Sequence, residues 1–217
     1  MNIRLNRRNL SLAAGMAAAV ALTAGALIAS TARAEPSPAP GNPAPAFTAT
    51  DSFGEPVSLA DFAGKTVVLE WTNDGCPFVR KHYTAPPSNM QTLQKSAAAD
   101  GIVWLSVISS APGKQGYADG ARANELTEVR GAAPAHVLLD PDGKLGHLYQ
   151  AKTTPHMFVI APDGTIAYQG AIDSKASARV ADIETATNYV SAALNSLAGG
   201  EAVEVAVTKP YGCSVKY

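Results

Sequence analysis

Between Val67 and Tyr83 the chain reads V-V-L-E-W-T-N-D-G-C-P-F-V-R-K-H-Y, and that order commits it to one local geometry. Val67, Val68 and Leu69 form the short apolar run expected of a central parallel strand covered on both faces. Asn73, Asp74 and Gly75 are loop residues that tolerate unusual backbone angles. Cys76 falls where a helix begins. Pro77 suits the first helical position, where the N–H it lacks would have no intrahelical partner. A thiol at a helix mouth sits among free N–H groups and the positive end of the dipole, which favours the thiolate, the nucleophilic and redox-active form. Arg80 and Lys81, one turn on, push the same way, and Asp74 opposes them. The competing reading is an inert buried cysteine, the usual fate of a free thiol. The order strand, loop, Cys-Pro, helix favours the reactive one.

The first 34 residues read as a secretory leader. Arg4, Arg7 and Arg8 precede an apolar stretch from Leu12 to Ala29, and Ala32-Arg33-Ala34 is a small-x-small cleavage site, so the mature chain is expected to begin at Glu35. An uncleaved anchor is the alternative. Arg7-Arg8 fits a twin-arginine signal loosely, and general secretion serves equally well. Either route predicts a periplasmic or secreted protein with no stable membrane insertion after cleavage. Cleavage would remove four of the 17 basic residues and none of the 18 acidic ones, leaving a formal charge of −5. That charge argues against nucleic acid or an anionic membrane as partner. Both cysteines, Cys76 and Cys213, fall in the mature chain, where an oxidising compartment allows one disulfide. Their separation excludes a local Cys-x-x-Cys pair or a zinc knuckle.

Residues 35–46 hold five prolines and predict an extended linker. A hairpin and one helical turn at Leu59 to Phe62 follow. After Cys76 a helix is expected to about Tyr83, broken by Pro86 and Pro87 and restarted at a Ser88/Gln91 capping box, with Met90, Leu93 and Ala97 on its buried stripe. Ile102 to Ile108 reads as a second apolar strand. Pro112-Gly113 opens a polar loop placed to flank the cysteine. A weaker helix is expected over Ala118 to Val129, a strand over His136 to Leu139 and a helical turn over Leu145 to Tyr149. His156 to Ile160 and Thr165 to Gln169 form a hairpin about Asp163-Gly164. A long helix running from Ser174 through Val180, Ile183, Thr187, Val190, Leu194 and Leu197 ends at Gly199-Gly200. The alternation Val203, Val205, Val207 predicts an edge strand in the tail. This order makes an α/β sandwich.

Several of these segments together carry a resemblance. Strand–Cys-Pro–helix, Thr154-Pro155 leading into a strand, and the A-P-D-G hairpin resemble the thioredoxin superfamily. D-S-F-G-E-P-V-S-L-A-D-F-A-G-K before an apolar strand is similar to its redoxin branch, which holds the alkyl hydroperoxide reductase/thiol-specific antioxidant proteins. E-W-T-N-D-G-C-P-F-V-R-K-H-Y, T-T-P-H-M-F-V-I and the ending P-Y-G-C-S-V-K-Y resemble a peroxiredoxin-like exported group within it. The resemblance implies a thioredoxin-like fold over residues 47–199, a central mixed β-sheet flanked by helices, with an N-terminal hairpin and a C-terminal extension at 200–217 carrying the second cysteine.

The resemblance implies a thiol-dependent redox enzyme in which Cys76 reduces a peroxide and Cys213 is the candidate resolving thiol. An external dithiol reductant such as a thioredoxin-like protein would reset it, and no cofactor is implied. The alternatives are an exported oxidoreductase acting on protein disulfides, a degenerate redoxin that only binds a partner, and a permanent Cys76–Cys213 bridge. Departures from the family patterns keep these open. The Cys-x-x-Cys window reads Cys76-Pro77-Phe78-Val79. The peroxiredoxin Pro-x-x-x-Thr-x-x-Cys places Leu69 and Asn73 at the patterned positions, with Thr72 one place off, so Thr72 or Asn73 is the candidate for positioning peroxide. Arg80 shares the helix face of Cys76 and is the candidate peroxidatic arginine, with a solvated surface charge as the other reading. Pro155 resembles the superfamily's cis-proline, which would let the Thr154 backbone face the cysteine and pair with a docking substrate. His82, His136, His147 and His156 have no metal-ligand spacing, and no metal site is expected. Glu70, in an apolar strand, is a candidate buried carboxylate with a raised pKa, or else the partner of a lysine or arginine.

Overall fold

The structure is a computed structural model, and it describes residues 37–84 and 89–217. The expected leader, the start of the linker, Pro86, Pro87 and the Ser88 cap lie outside the described residues.

A seven-stranded mixed sheet organises the chain, in the order β2-β1-β5-β4-β3-β7-β8. Its strands are β1 (Thr48–Asp51), β2 (Pro56–Ser58), β3 (Val67–Trp71), β4 (Val103–Ile108), β5 (His136–Leu139), β7 (His156–Ile160) and β8 (Ile166–Gly170). The three central apolar runs, β3, β4 and β5, pair in parallel. The β7–β8 hairpin joins antiparallel to β3. Every residue of β3, β4 and β7 is buried, as central strands with both faces covered require. Alternation along β3 then separates two cores. Val67, Leu69 and Trp71 pack with Phe47, Tyr149 and Phe158 on one face. Val68 packs with Cys76, Met90, Trp104 and Val190 on the other.

The helices are α1 (Pro77–Tyr83), α2 (Asn89–Ala99), α3 (Gly120–Val129), α4 (Lys144–Leu148) and α5 (Tyr189–Ala198). Asp119 caps α3 by accepting from the Arg122 N–H at 2.8 Å, which starts that helix just after the expected Ala118. In α2, Met90 and Ala97 are buried and Leu93 packs against the same core. The linker is not free along its length: Gly41 and Ala44 donate to the Ile166 and Gly164 carbonyls at 2.9 Å, at the tip of the β7–β8 hairpin.

Two expectations fail. The helix from Ser174 is interrupted: a 3-10 turn covers Val180–Ile183, and α5 begins afresh at Tyr189. Asn188 is the reason, since its side chain accepts from the Ser191 N–H at 2.9 Å and caps a new helix. Ser174 instead accepts from the Thr187 N–H at 3.0 Å. The tail alternation does not form an edge strand. Val205 and Val207 are exposed, and among the described residues that stretch is tied to β8 by the parallel bridge Gln169 to Val207 and by the Thr208 hydroxyl, which meets Tyr168 and accepts from the Ala171 N–H. The tail pairs further on, where β9 (Cys213–Ser214) lies antiparallel to β6 (Thr153–Thr154).

Candidate active site

Cys76 is the N-cap of α1, extended at φ −86°, ψ 120°, and its side chain caps nothing. The sulfur is therefore left at the helix mouth. Two side chains and a glycine build the loop that delivers it. Asn73 accepts from the Gly75 N–H at 2.8 Å and donates to the Gln115 carbonyl at 3.1 Å. Gln115 returns a bond to the Gly75 carbonyl at 2.9 Å. Gly116, at φ 85°, comes so close that an added Cβ would lie 2.3 Å from the Asn73 side chain, so only glycine suits that position. The loop after Pro112-Gly113 thus flanks the cysteine through Gln115 and Gly116.

Cys76 is fully buried. Its sulfur lies 3.1 Å from the Thr154 carbonyl, and the Thr154–Pro155 peptide bond is cis. Burial alone would push the thiol pKa up. The polar groups around it, on Cys213, Val79 and the Thr154 side chain, outweigh it, and the net shift is downward. The Thr154 carbonyl acts the other way, because it can only accept and so favours S–H. Cys213 is half-buried, and both sulfurs are free thiols. Burial pushes the Cys213 thiol up to about 11, and its hydrogen bond to Cys76 and the Cys76 charge add to the rise. The two shifts run in opposite directions, so Cys76 is the more readily ionised of the two thiols.

The neighbouring charges differ from those expected. Lys81 does not serve the sulfur. It is buried and donates to Asp173 at 2.9 Å and to the Lys175 carbonyl at 3.0 Å, and its ammonium lies 5.6 Å from the Tyr211 ring centroid. Asp74 opposes the thiolate less than its charge suggests, because Arg130 pairs with it at 2.6 Å and Arg122 at 3.4 Å. The Arg80 side chain is exposed and has no ion pair or side-chain hydrogen bond among the described residues. Thr72 is buried with an unpartnered hydroxyl. It lines a small separate cavity with Tyr83, Ser106 and Arg130. Asn73 holds the loop. So Cys76, Cys213, Thr154 and Pro155 come together, Asn73 supports them, and Thr72 and Arg80 stand apart.

Glu70 is completely buried, and that burial raises its pKa. It has no salt bridge with a lysine or arginine among the described residues. Tyr83 donates to it at 2.7 Å, Trp104 at 2.8 Å, and Gln94 and Ser106 at 3.2 Å. His82 packs against α2 rather than the sulfur: Nδ1 meets Asn89 at 2.7 Å and Nε2 lies 3.7 Å from Asp173. No group of three or more metal-ligating side chains occurs among the described residues. Sequence reasoning missed Gln115, Arg130, Asp173 and Tyr211, whose partners lie tens of residues away.

Residues 40–169 match the AhpC/TSA family, a span of more than half the chain. This chain belongs to the AhpC/TSA family. The matched span holds Cys76, Thr154 and Pro155 and ends before α5 and the tail with Cys213. Comparison with curated proteins returns no match. Among solved structures, an uncharacterized conserved protein from Geobacillus kaustophilus is similar at 22% identity and TM-score 0.68, over 84% of this chain and 95% of that one. A hypothetical protein from Sinorhizobium meliloti 1021 is similar at 20% identity and TM-score 0.67, over 84% of this chain and 98% of that one. The thioredoxin domain of a thiol-disulfide oxidoreductase from Bacteroides vulgatus is similar at 23% identity and TM-score 0.49, over 68% of this chain and 96% of that one. The chain is a thioredoxin-like redoxin of mixed α/β architecture.

Proposed function

We propose that this redoxin is a thiol peroxidase with Cys76 as its attacking sulfur and Cys213 as its resolving one. One observation carries the reading: the tail, far away in sequence, pairs Cys213 opposite Thr154, whose carbonyl lies 3.1 Å from the Cys76 sulfur. Thiolate Cys76 attacks a peroxide oxygen. The S–O bond forms as the O–O bond breaks, and the departing alkoxide or hydroxide takes a proton, leaving Cys76 as sulfenic acid. The Cys213 sulfur then attacks the sulfenic sulfur. An S–S bond forms, and the hydroxyl leaves as water with the Cys213 proton. A dithiol reductant, itself oxidised to a disulfide, returns both thiols. The leader-like first 34 residues support export, a mature domain from Glu35 and a thioredoxin-like reductant outside the cytoplasm.

Purified protein with thioredoxin and its reductase should consume hydrogen peroxide or an alkyl hydroperoxide, and Cys76→Ser should abolish turnover. Insulin reduction without peroxide consumption would instead make it an exchanger of protein disulfides.

A further inference from the structure

In this structure the edge beside Pro155 is occupied by the chain itself. β9 pairs with β6 in antiparallel register, Cys213 opposite Thr154 and Ser214 opposite Thr153. The Val215 N–H extends the pairing to the Lys152 carbonyl at 3.2 Å. At Gly212, φ 132°, the tail passes so close that an added Cβ would lie 2.1 Å from the Thr154 carbonyl oxygen. An extended cysteine-bearing segment lies against Thr154, and its Cys213 packs against the core cluster that holds Cys76. A polypeptide disulfide would have to adopt this same arrangement to react, since strand addition to a free edge is how extended peptides dock.

The tail is clamped on both sides of that segment. Tyr211 donates to the Asp173 carboxylate that Lys81 holds, and its ring meets Phe78 edge-on at 5.9 Å. Tyr217 stacks on His147 at 4.0 Å and donates to the Ala151 carbonyl at 3.0 Å. Its ring fills the space a Cβ would take at Gly143 and Gly146, 2.4 Å away in each case. Between them the Lys216 carbonyl accepts from the Ala111 N–H at 2.8 Å. Two aromatic anchors and a backbone ladder hold nine residues, 209–217, against the site.

We propose that this tail is a specificity element. It fills the docking edge of β6 in place of a foreign strand. Cys76 therefore meets small oxidants while the tail is seated, and an extended cysteine-bearing segment of another protein only when the tail is released. The inference shares with the proposed function only the reactivity of Cys76 and does not depend on peroxide being the oxidant. An occupant tethered to the same chain competes at an effective concentration on the order of millimolar, so a protein partner meets a largely filled edge.

The test uses Cys213→Ser as background, so that no second thiol resolves the product. Cys76 attacks a disulfide, forms the mixed disulfide and releases a thiolate, and the rate is followed with insulin and with a small aromatic disulfide. Two further changes are made in turn: Gly212→Ala in the full-length chain, and truncation after Thr208. Each should raise the insulin rate about tenfold or more relative to the small-disulfide rate. A synthetic peptide of residues 209–217, with Ser at 213, should return the truncated chain to the lower insulin rate. Equal rises for both disulfides would mean the tail merely covers the sulfur, and an unchanged insulin rate would mean the edge is open. Either result overturns the proposal. If the truncated chain does not fold, the Gly212→Ala comparison decides. The small-disulfide rate separately reports whether Cys76 is reactive at all.

Discussion

Replacing Cys213 with alanine should raise the pKa of Cys76, because the Cys213 side chain is among the groups that lower it. A hydrogen bond to a charged group contributes about 1.5–3 kcal/mol. The thiol is a weak donor and Cys213 is only half-buried, so the lower figure applies. At 1.36 kcal/mol per unit, the loss corresponds to a rise of about one unit. The helix-mouth N–H of Val79 and the Cys213 N–H remain in the variant, so the rise should stop well short of an ordinary buried thiol. The assay is iodoacetamide alkylation of the Cys76 peptide against pH, read by mass spectrometry, with ultraviolet thiolate absorbance as a second measure. Below the two midpoints the variant should alkylate about tenfold more slowly, and Cys213→Ser, which keeps a hydroxyl donor, should recover much of the difference. An identical midpoint in wild type and Cys213→Ala would refute the reasoning, because the helix mouth alone would then hold the charge.

Other outcomes follow from the same geometry. Removing the Cys76 charge with Cys76→Ser should bring the Cys213 midpoint down from about 11, read by alkylation of the tail peptide; an unchanged value would uncouple the two sulfurs. Glu70→Leu strands four buried donors at Tyr83, Trp104, Gln94 and Ser106, each unmet group costing about 1–3 kcal/mol, and urea unfolding should show a loss of several kcal/mol. Burial pushes His82 down to about 4 and His156 to about 3, both depressed below the unfolded value. Their contribution is therefore fully present above about pH 6.5 and lost as pH falls toward those values. His82→Gln should flatten the fall in Tm between about pH 6.5 and 4, and an unaltered slope would show that His82 is not its source.

Local signals were the legible ones. The apolar run at Val67–Leu69 and the Cys76-Pro77 start lie within one short stretch, and each acts on the backbone directly. That is why β3, the loop and α1 follow from sequence. The Asp163-Gly164 hairpin was readable for the same reason. The helix from Ser174 was misread because Val180, Ile183, Val190 and Leu194 keep a helical period across a break that Asn188 makes with a single cap. The tail strand was misread because, of the alternating Val203, Val205 and Val207, only Val203 packs against the core and the other two stay exposed. Lys81 was assigned to the sulfur on helix spacing, whereas Asp173 and Tyr211 claim it from far along the chain. Nothing local marks such partners. The same limit hid Gln115, whose two bonds with the cysteine loop depend on a tertiary fold.

The central claim is that Cys76 and Cys213 act as one redox pair within a single chain. Reduced protein treated with one equivalent of hydrogen peroxide, quenched by alkylation and mapped by mass spectrometry of the monomer, tests it most directly. The account predicts one peptide joining Cys76 to Cys213, with the loss of two hydrogens and no free thiol. Stable sulfenic or sulfinic acid on Cys76 beside an alkylated Cys213, or a dimer linked between chains, would contradict it.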